Sequence, residues 1–193
     1  DITPLRQHES GLADRVLHVF RPAAATRTVD AGVTIDYHLG RPAESVTVQI
    51  LDGAGEVVRR FEGTVADRGD LPAPDPRLAF FRPPPLRVRT DVGTHRIRWN
   101  LRYADAVGFE GMILYWPVNP SLQGPLAPPG EYRVRVTANG QSVTHSVRVL
   151  KDERLVGVTD DDLRAQFQLS RQVVDRLNEA NRTVIRIREL KSA

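Results

Sequence analysis

Apolar and polar side chains alternate with a period of two through much of this chain, and that rhythm limits what it can fold into. Val33, Ile35, Tyr37 and Leu39 alternate with Thr34, Asp36 and His38, and Val46, Val48 and Ile50 alternate with Thr47 and Gln49. Successive side chains of a strand point to opposite faces, so each such segment has one apolar face to hide. Asp52-Gly53-Ala54-Gly55 is a tight-turn signal, and Glu56 to Phe61 reads as the return strand of a hairpin. Further on, Ile97, Trp99, Leu101 and Tyr103 share a face opposite Arg96, Arg98, Asn100 and Arg102. Tyr132, Val134, Val136 and Ala138 are followed by Asn139-Gly140, a type I′ hairpin signal, and by Val143, His145, Val147 and Val149. Short strands with one apolar face hide it by pairing two sheets, so the expected fold is an antiparallel β-sandwich.

Two long connections and a helix complete the pattern. Residues 62–92 carry Pro72, Pro74, Pro76 and Pro83-Pro84-Pro85, and residues 104–129 carry Pro117, Pro120, Pro125, Pro128 and Pro129. Proline cannot sit inside a central strand, and loops this long are usually functional. Phe80-Phe81 and the run Met112 to Trp116 place apolar side chains in these loops, so both are candidate contact points. From Thr159 the period becomes helical. Thr159 and Asp162 have capping-box spacing, with Asp in place of the preferred Glu, and Asp160 to Asp162 suit the positive end of a helix. Val173, Leu177, Ala180, Val184, Ile187 and Lys191 step by four and three, a coiled-coil-like seam that Leu163, Phe167, Val174 and Ile185 widen. Such a helix needs a partner surface, in its own sandwich or in another chain. Phe167, Val174, Leu177 and Val184 are its candidate interface residues.

Composition excludes more than it identifies. There is no cysteine, hence neither a disulfide nor a thiolate nucleophile, and no apolar run reaches the roughly 20 residues of a bilayer-crossing helix. The net charge is +3, and among 27 basic residues only Lys151 and Lys191 are lysine. Arg96, Arg98 and Arg102, with Arg133, Arg135 and Arg148, are expected on outward faces of neighbouring strands, a basic stripe for an acidic partner surface. Nucleic acid is not the expected partner, because no aromatics interleave with these arginines. The histidines, His8, His18, His38, His95 and His145, show no zinc-ligand spacing. His95 and His145 are expected as satisfied core residues and His38 as solvated. Asp67, Asp70, Asp75 and Glu110 lie in loops without the rigid frame that glycoside hydrolysis requires of paired carboxylates. No nucleophile elbow or phosphate-cradling loop occurs. The sequence therefore points away from an enzyme and calls for no metal or cofactor. Tyr115 and Trp116 are the candidate ligand-binding pair, since aromatic faces can stack on sugar rings.

Residues 29–150 resemble the immunoglobulin-like module of the flagellar hook-capping type. The likeness lies in Val33-Thr34-Ile35-Asp36-Tyr37, Val46 to Asp52, Gly93 to Trp99 and Ala127-Pro128-Pro129-Gly130-Glu131-Tyr132-Arg133-Val134. The whole chain resembles the region after the β-propeller in secreted bacterial proteins with BNR (sialidase-type) or sortilin-like repeats, often labelled glycosyl hydrolases. Asp1 to Arg6 looks like the exit from a last blade, and Trp99-Asn100-Leu101-Arg102-Tyr103 matches Trp-Asp-Leu-Arg-Tyr, with Asn100 in place of Asp. The resemblance implies a linker over 1–28, an immunoglobulin-like sandwich over 29–151 and an amphipathic helix over 152–193. It also implies an extracellular or periplasmic location and a propeller as neighbouring domain. No Asp-box repeat occurs in these residues, so a hydrolase label on a parent protein would not pass to this chain. The expected role is an accessory module for domain packing or helix-mediated self-association, with carbohydrate binding as the alternative.

Overall fold

The alternating segments are strands, and each hides its apolar face as the period requires. The computed structural model describes residue 7 and residues 11–28, 30–68, 86–109, 111–112 and 122–192, with the backbone alone at 13, 67 and 68. Among these residues the strands are β1 (Leu17–Val19), β2 (Ala25–Thr26), β3 (Val33–Leu39), β4 (Ser45–Leu51), β5 (Val57–Thr64), β6 (Gly93–Trp99), β7 (Gly130–Ala138) and β8 (Gln141–Leu150). They form a three-stranded sheet in the order β1-β3-β6 and a five-stranded sheet in the order β2-β8-β7-β4-β5. One α-helix among the described residues, α1 (Asp160–Ser192), follows. The chain is therefore mainly β, two facing sheets with a C-terminal helix. β1 and β2 lie within residues 1–28 and contribute a strand to each sheet.

The core is built from the inner faces of both sheets. Val33, Ile35, Tyr37 and Leu39 of β3 meet Val46, Val48 and Ile50 of β4 and Tyr132, Val134 and Val136 of β7 in one buried cluster. Trp99 on β6 is fully buried, and its ring lies 5.3 Å from that of Tyr132, so one aromatic pair spans the two sheets. The Trp99 indole N–H donates to Arg102 O at 2.8 Å, which satisfies its one polar atom without leaving the core. On the outer face of the small sheet, Asp36 and Arg96 are cross-strand partners joined at 2.7 Å.

The turns follow their sequence signals. Asp52 Oδ1 accepts from Ala54 N and Glu56 N, and Gly55 sits at φ 93°. Asn139 and Gly140 both have positive φ, at 51° and 75°, as a type I′ hairpin demands. His95 and His145 are half-buried and satisfied: Nε2–H of His95 donates to Asp91 O, and that of His145 to Val19 O on the opposite sheet.

Three expectations need correction. The sheets are not wholly antiparallel: β2 runs parallel to β8. His38, expected in solvent, is half-buried, because β3 is the central strand of its sheet and the flanking β1 and β6 crowd its outer face. β6 stops at Trp99 instead of running on through Tyr103. Leu101 adopts φ 57°, which turns the chain away from β3, yet Leu101 and Tyr103 stay buried. Residues 101–106 then pair with residues 122–127: Ala127 N donates to Leu101 O, Tyr103 N to Pro125 O and Ala106 N to Leu122 O. Ala104 N also donates to Val58 O of β5, so this segment crosses from one sheet to the other.

Gly63 on β5 is where backbone approaches backbone. A Cβ placed there would lie 1.8 Å from Val88 O, whereas one on Gly53 would meet nothing nearer than Glu131 O at 3.8 Å. Gly63→Ala should lower the unfolding free energy by about 1–3 kcal/mol, the range for overpacking. Gly53→Ala should stay within about 0.5 kcal/mol in the same urea titrations.

Candidate functional site

The crossover segment 101–106 is the platform on which α1 docks. Thr159 caps the helix: Asp162 N donates to Thr159 Oγ1 at 3.1 Å, and Thr159 N donates to Asp162 Oδ2 at 2.8 Å. That reciprocal pair fixes where the helix begins, and the step-four-and-three pattern then sets which face meets the sandwich. Leu163 is buried, and Phe167 stacks at 4.6 Å on Tyr103, with the Arg171 guanidinium over both rings at 5.5 and 5.9 Å. Two turns later Asn178 and Asn181 bind both backbone polar groups of one residue: Val107 N donates to Asn178 Oδ1 at 2.7 Å, and Asn181 Nδ2 donates to Val107 O at 2.6 Å. The two amides take the place of a β-ladder partner for Val107. Further along, the Arg188 guanidinium lies 4.5 Å over the Phe109 ring.

A groove of about 500 Å³ opens along one flank of this junction, with Arg27, Arg102, Leu126, Gln166, Phe167 and Val173 among its walls. Arg27 follows β2 and is 9% exposed. Its Nε–H donates to Ala127 O at 2.9 Å and its Nη2–H to Gln166 Oε1 at 2.8 Å, tying the strand edge, the crossover and the helix together. Burial lowers the basicity of this guanidinium, and Arg102 nearby adds to the effect. Burial likewise pushes the phenols of Tyr132 and Tyr103 above the ordinary tyrosine range. On the other flank a smaller cleft of about 190 Å³ is lined by Tyr103, Asp105, Arg171 and Asp175. Asp105 is held there by Arg59 at 2.6 Å and by Gly124 N. Burial raises the Asp105 pKa, but the hydrogen bonds from Arg59 and Gly124 and the Arg59 and Arg102 charges outweigh it, leaving it below the usual carboxylate range. These groups brace the junction. Among the described residues no group of three or more His, Asp or Glu is placed to hold a metal, and no helix is long and apolar enough to cross a membrane.

The residues singled out from sequence divide three ways. Tyr115, Trp116, Phe80 and Phe81 lie outside the described residues, as do Asp70, Asp75 and Glu110. The basic stripe is not formed. Arg96 and Arg98 stand on β6 of the small sheet, while Arg133 and Arg135 stand on β7 and Arg148 on β8 of the large one. The two sets point outward from opposite sides of the sandwich, because β6 pairs with β3 and not with β7. Arg96 is bound to Asp36, and Arg98 donates to Asp30 O. On the helix, Phe167 and Val174 are half-buried against the chain's own sandwich, and Leu177 and Val184 are also half-buried. Val173 and Ile187 of the expected seam are exposed, at 60% and 48%. Arg27, Asp105, Asn178 and Asn181 were not anticipated; the two asparagines at helical spacing inside an apolar stripe were the one available signal. No protein-family model matches the chain, and no curated protein matches it.

Asn181→Ala leaves Val107 O without its donor in a part-buried position. It should cost about 1–3 kcal/mol in urea unfolding, and a loss under roughly 0.5 kcal/mol would contradict the clamp. A carboxylate held below its unfolded pKa stabilises the fold above the ordinary carboxylate range, and that contribution fades as pH falls through the folded value. Asp105→Asn should therefore be destabilising near neutrality and converge with the parent chain on acidification, read as paired unfolding curves across that range.

Proposed function

We propose that this chain is a non-catalytic accessory module of a secreted β-propeller protein, in which the sandwich is a support and the helix is a docking rod. The observation that carries the reading is the helix surface. α1 spans 33 residues, about 50 Å at 1.5 Å per residue, and uses one stripe for its own sandwich. A second apolar stripe, with Leu169 at 63% exposed, Val173 at 60%, Ile187 at 48% and Leu190 at 71%, stays exposed. Side chains of this size recurring along one line of a helix are what a partner surface covers. The likeness to the region after a propeller supplies the context, and with it an extracellular or periplasmic setting. Carbohydrate binding rests on Tyr115 and Trp116, and no described residue adds to it.

Two measurements test this reading. Val173→Glu combined with Ile187→Glu should leave the unfolding midpoint within a few degrees of the parent chain, because neither side chain supports the fold. Purified chain should hydrolyse fluorogenic glycosides no faster than buffer. Turnover that copurifies with the chain and is lost on a point substitution would overturn the proposal, as would collapse of the fold in the double variant.

A further inference from the structure

Among the described residues, two guanidiniums and no carboxylate line the groove of about 500 Å³ beside α1. Arg27 is buried, and its side-chain hydrogen bonds go to neutral oxygens, Ala127 O and Gln166 Oε1. Arg102 is half-buried, and its guanidinium donates to Gly124 O. A guanidinium carries five N–H donors, so each keeps donors beyond those bonds. Neither has a carboxylate partner among the described residues. Asp105, whose carboxyl feels the Arg102 charge, is already held by Arg59 and by Gly124 N. Asp36, the other charged side chain buried among the described residues, is paired with Arg96. Arg27 thus breaks the pattern. A buried charge without a counter-charge is costly, and a second of the same sign nearby adds to the cost. Burial holds the basicity of Arg27 down, and the Arg102 charge acts in the same direction.

The remaining walls include Leu126, on the segment that pairs with residues 101–106, and Phe167, Leu169 and Val173 of α1. A volume of this size is that of a small-molecule site, where an apolar lining surrounds a few placed polar groups. From this combination we infer that the groove binds a small carboxylate with an apolar body, its head taken by Arg27 and Arg102 and its body laid along Leu169 and Val173. A planar guanidinium presents paired N–H groups that match the two oxygens of a carboxylate. Arg27 is set for that role in advance, because its bonds to Ala127 O and Gln166 Oε1 fix its plane. The apolar wall distinguishes such a ligand from a bare inorganic anion, which would leave Leu169 and Val173 uncovered. The same bonds join the strand edge, the crossover and the helix, so an occupant also fastens α1 to the sandwich. This site goes beyond the docking role proposed above and does not depend on it.

Titration of the full chain with octanoate, followed by proton–nitrogen correlation spectra that include the arginine Nε–H signals, tests the site. Octanoate should bind with a Kd of about 1 mM or tighter and shift the Arg27 and Arg102 Nε–H signals together with the Leu169 and Val173 amides. Octanamide, the same body without the charge, should bind roughly tenfold more weakly or worse, and so should inorganic phosphate. Arg102→Gln should weaken octanoate roughly tenfold. Leu169→Ala, at an exposed position that leaves the fold intact, should weaken it severalfold, and Arg60→Gln, at an exposed ion pair on β5, should not. Bound octanoate should also raise the unfolding midpoint of the parent chain. Octanamide binding as tightly as octanoate would overturn the part given to the two arginines. Phosphate binding as tightly would overturn the apolar body. No shift at Arg27 and Arg102 in about 10 mM octanoate would overturn the site altogether. The comparison of octanoate, octanamide and phosphate uses the parent chain, so it decides the matter even where Arg102→Gln fails to fold.

Discussion

Everything in this molecule depends on two apolar sheet faces burying one another. A strand with alternating side chains exposes an apolar face in isolation, and the hydrophobic gain of about 25 cal/mol per Å² is realised only when a second layer covers it. Trp99 and Tyr132 mark where that covering is tightest. The ring pair spans the gap between sheets, and each ring's polar atom is bonded to a nearby carbonyl, Arg102 O for the indole and Pro128 O for the phenol. The layers are thus fixed in position by groups that cost nothing to bury.

The helix inherits its seat from that closure. Because Leu101 turns the chain out of the small sheet at positive φ, residues 101–107 cross over to the large one and present Tyr103, Asp105 and Val107 to the helix. Gly124 beneath them permits the close packing, since a Cβ there would fall 2.2 Å from Ala104 O. Phe167 lands on Tyr103, and the asparagine pair satisfies the backbone N–H and C=O of half-buried Val107. A helix held this way commits one face to its own domain. With 3.6 residues per turn, a sequence with apolar residues on two adjacent lines can commit the other line elsewhere.

Much of this was legible in the sequence, and the gaps have physical causes. β3, β4, β7 and β8 are long enough for their alternation to be read, and Asn139-Gly140 and Thr159 with Asp162 encode their turn and cap locally. β1 and β2, at three and two residues, are shorter than any periodicity can resolve. Sheet membership is a long-range property, which is why the arginines of β6 and β7 looked like one stripe and stand on opposite sides. Alternation also ran four residues past Trp99, because burial of Leu101 and Tyr103 continues after the strand has ended. On the helix the sequence shows one widened apolar stripe, but only the crossover platform decides which part of it packs inward. Arg27, a single arginine between two threonines, carried no signal at all.

The central claim is that α1 is bound to its own sandwich along one face only. Isotope-edited NOE spectra of the full chain test it most directly. The account predicts cross-peaks from the Phe167 ring to the Tyr103 ring and from the Asn181 side-chain amide to Val107, with none linking Ile187 or Leu190 to any sandwich residue. Contacts from Ile187 and Leu190 to the sheets, in place of those from Phe167 and Asn181, would contradict it.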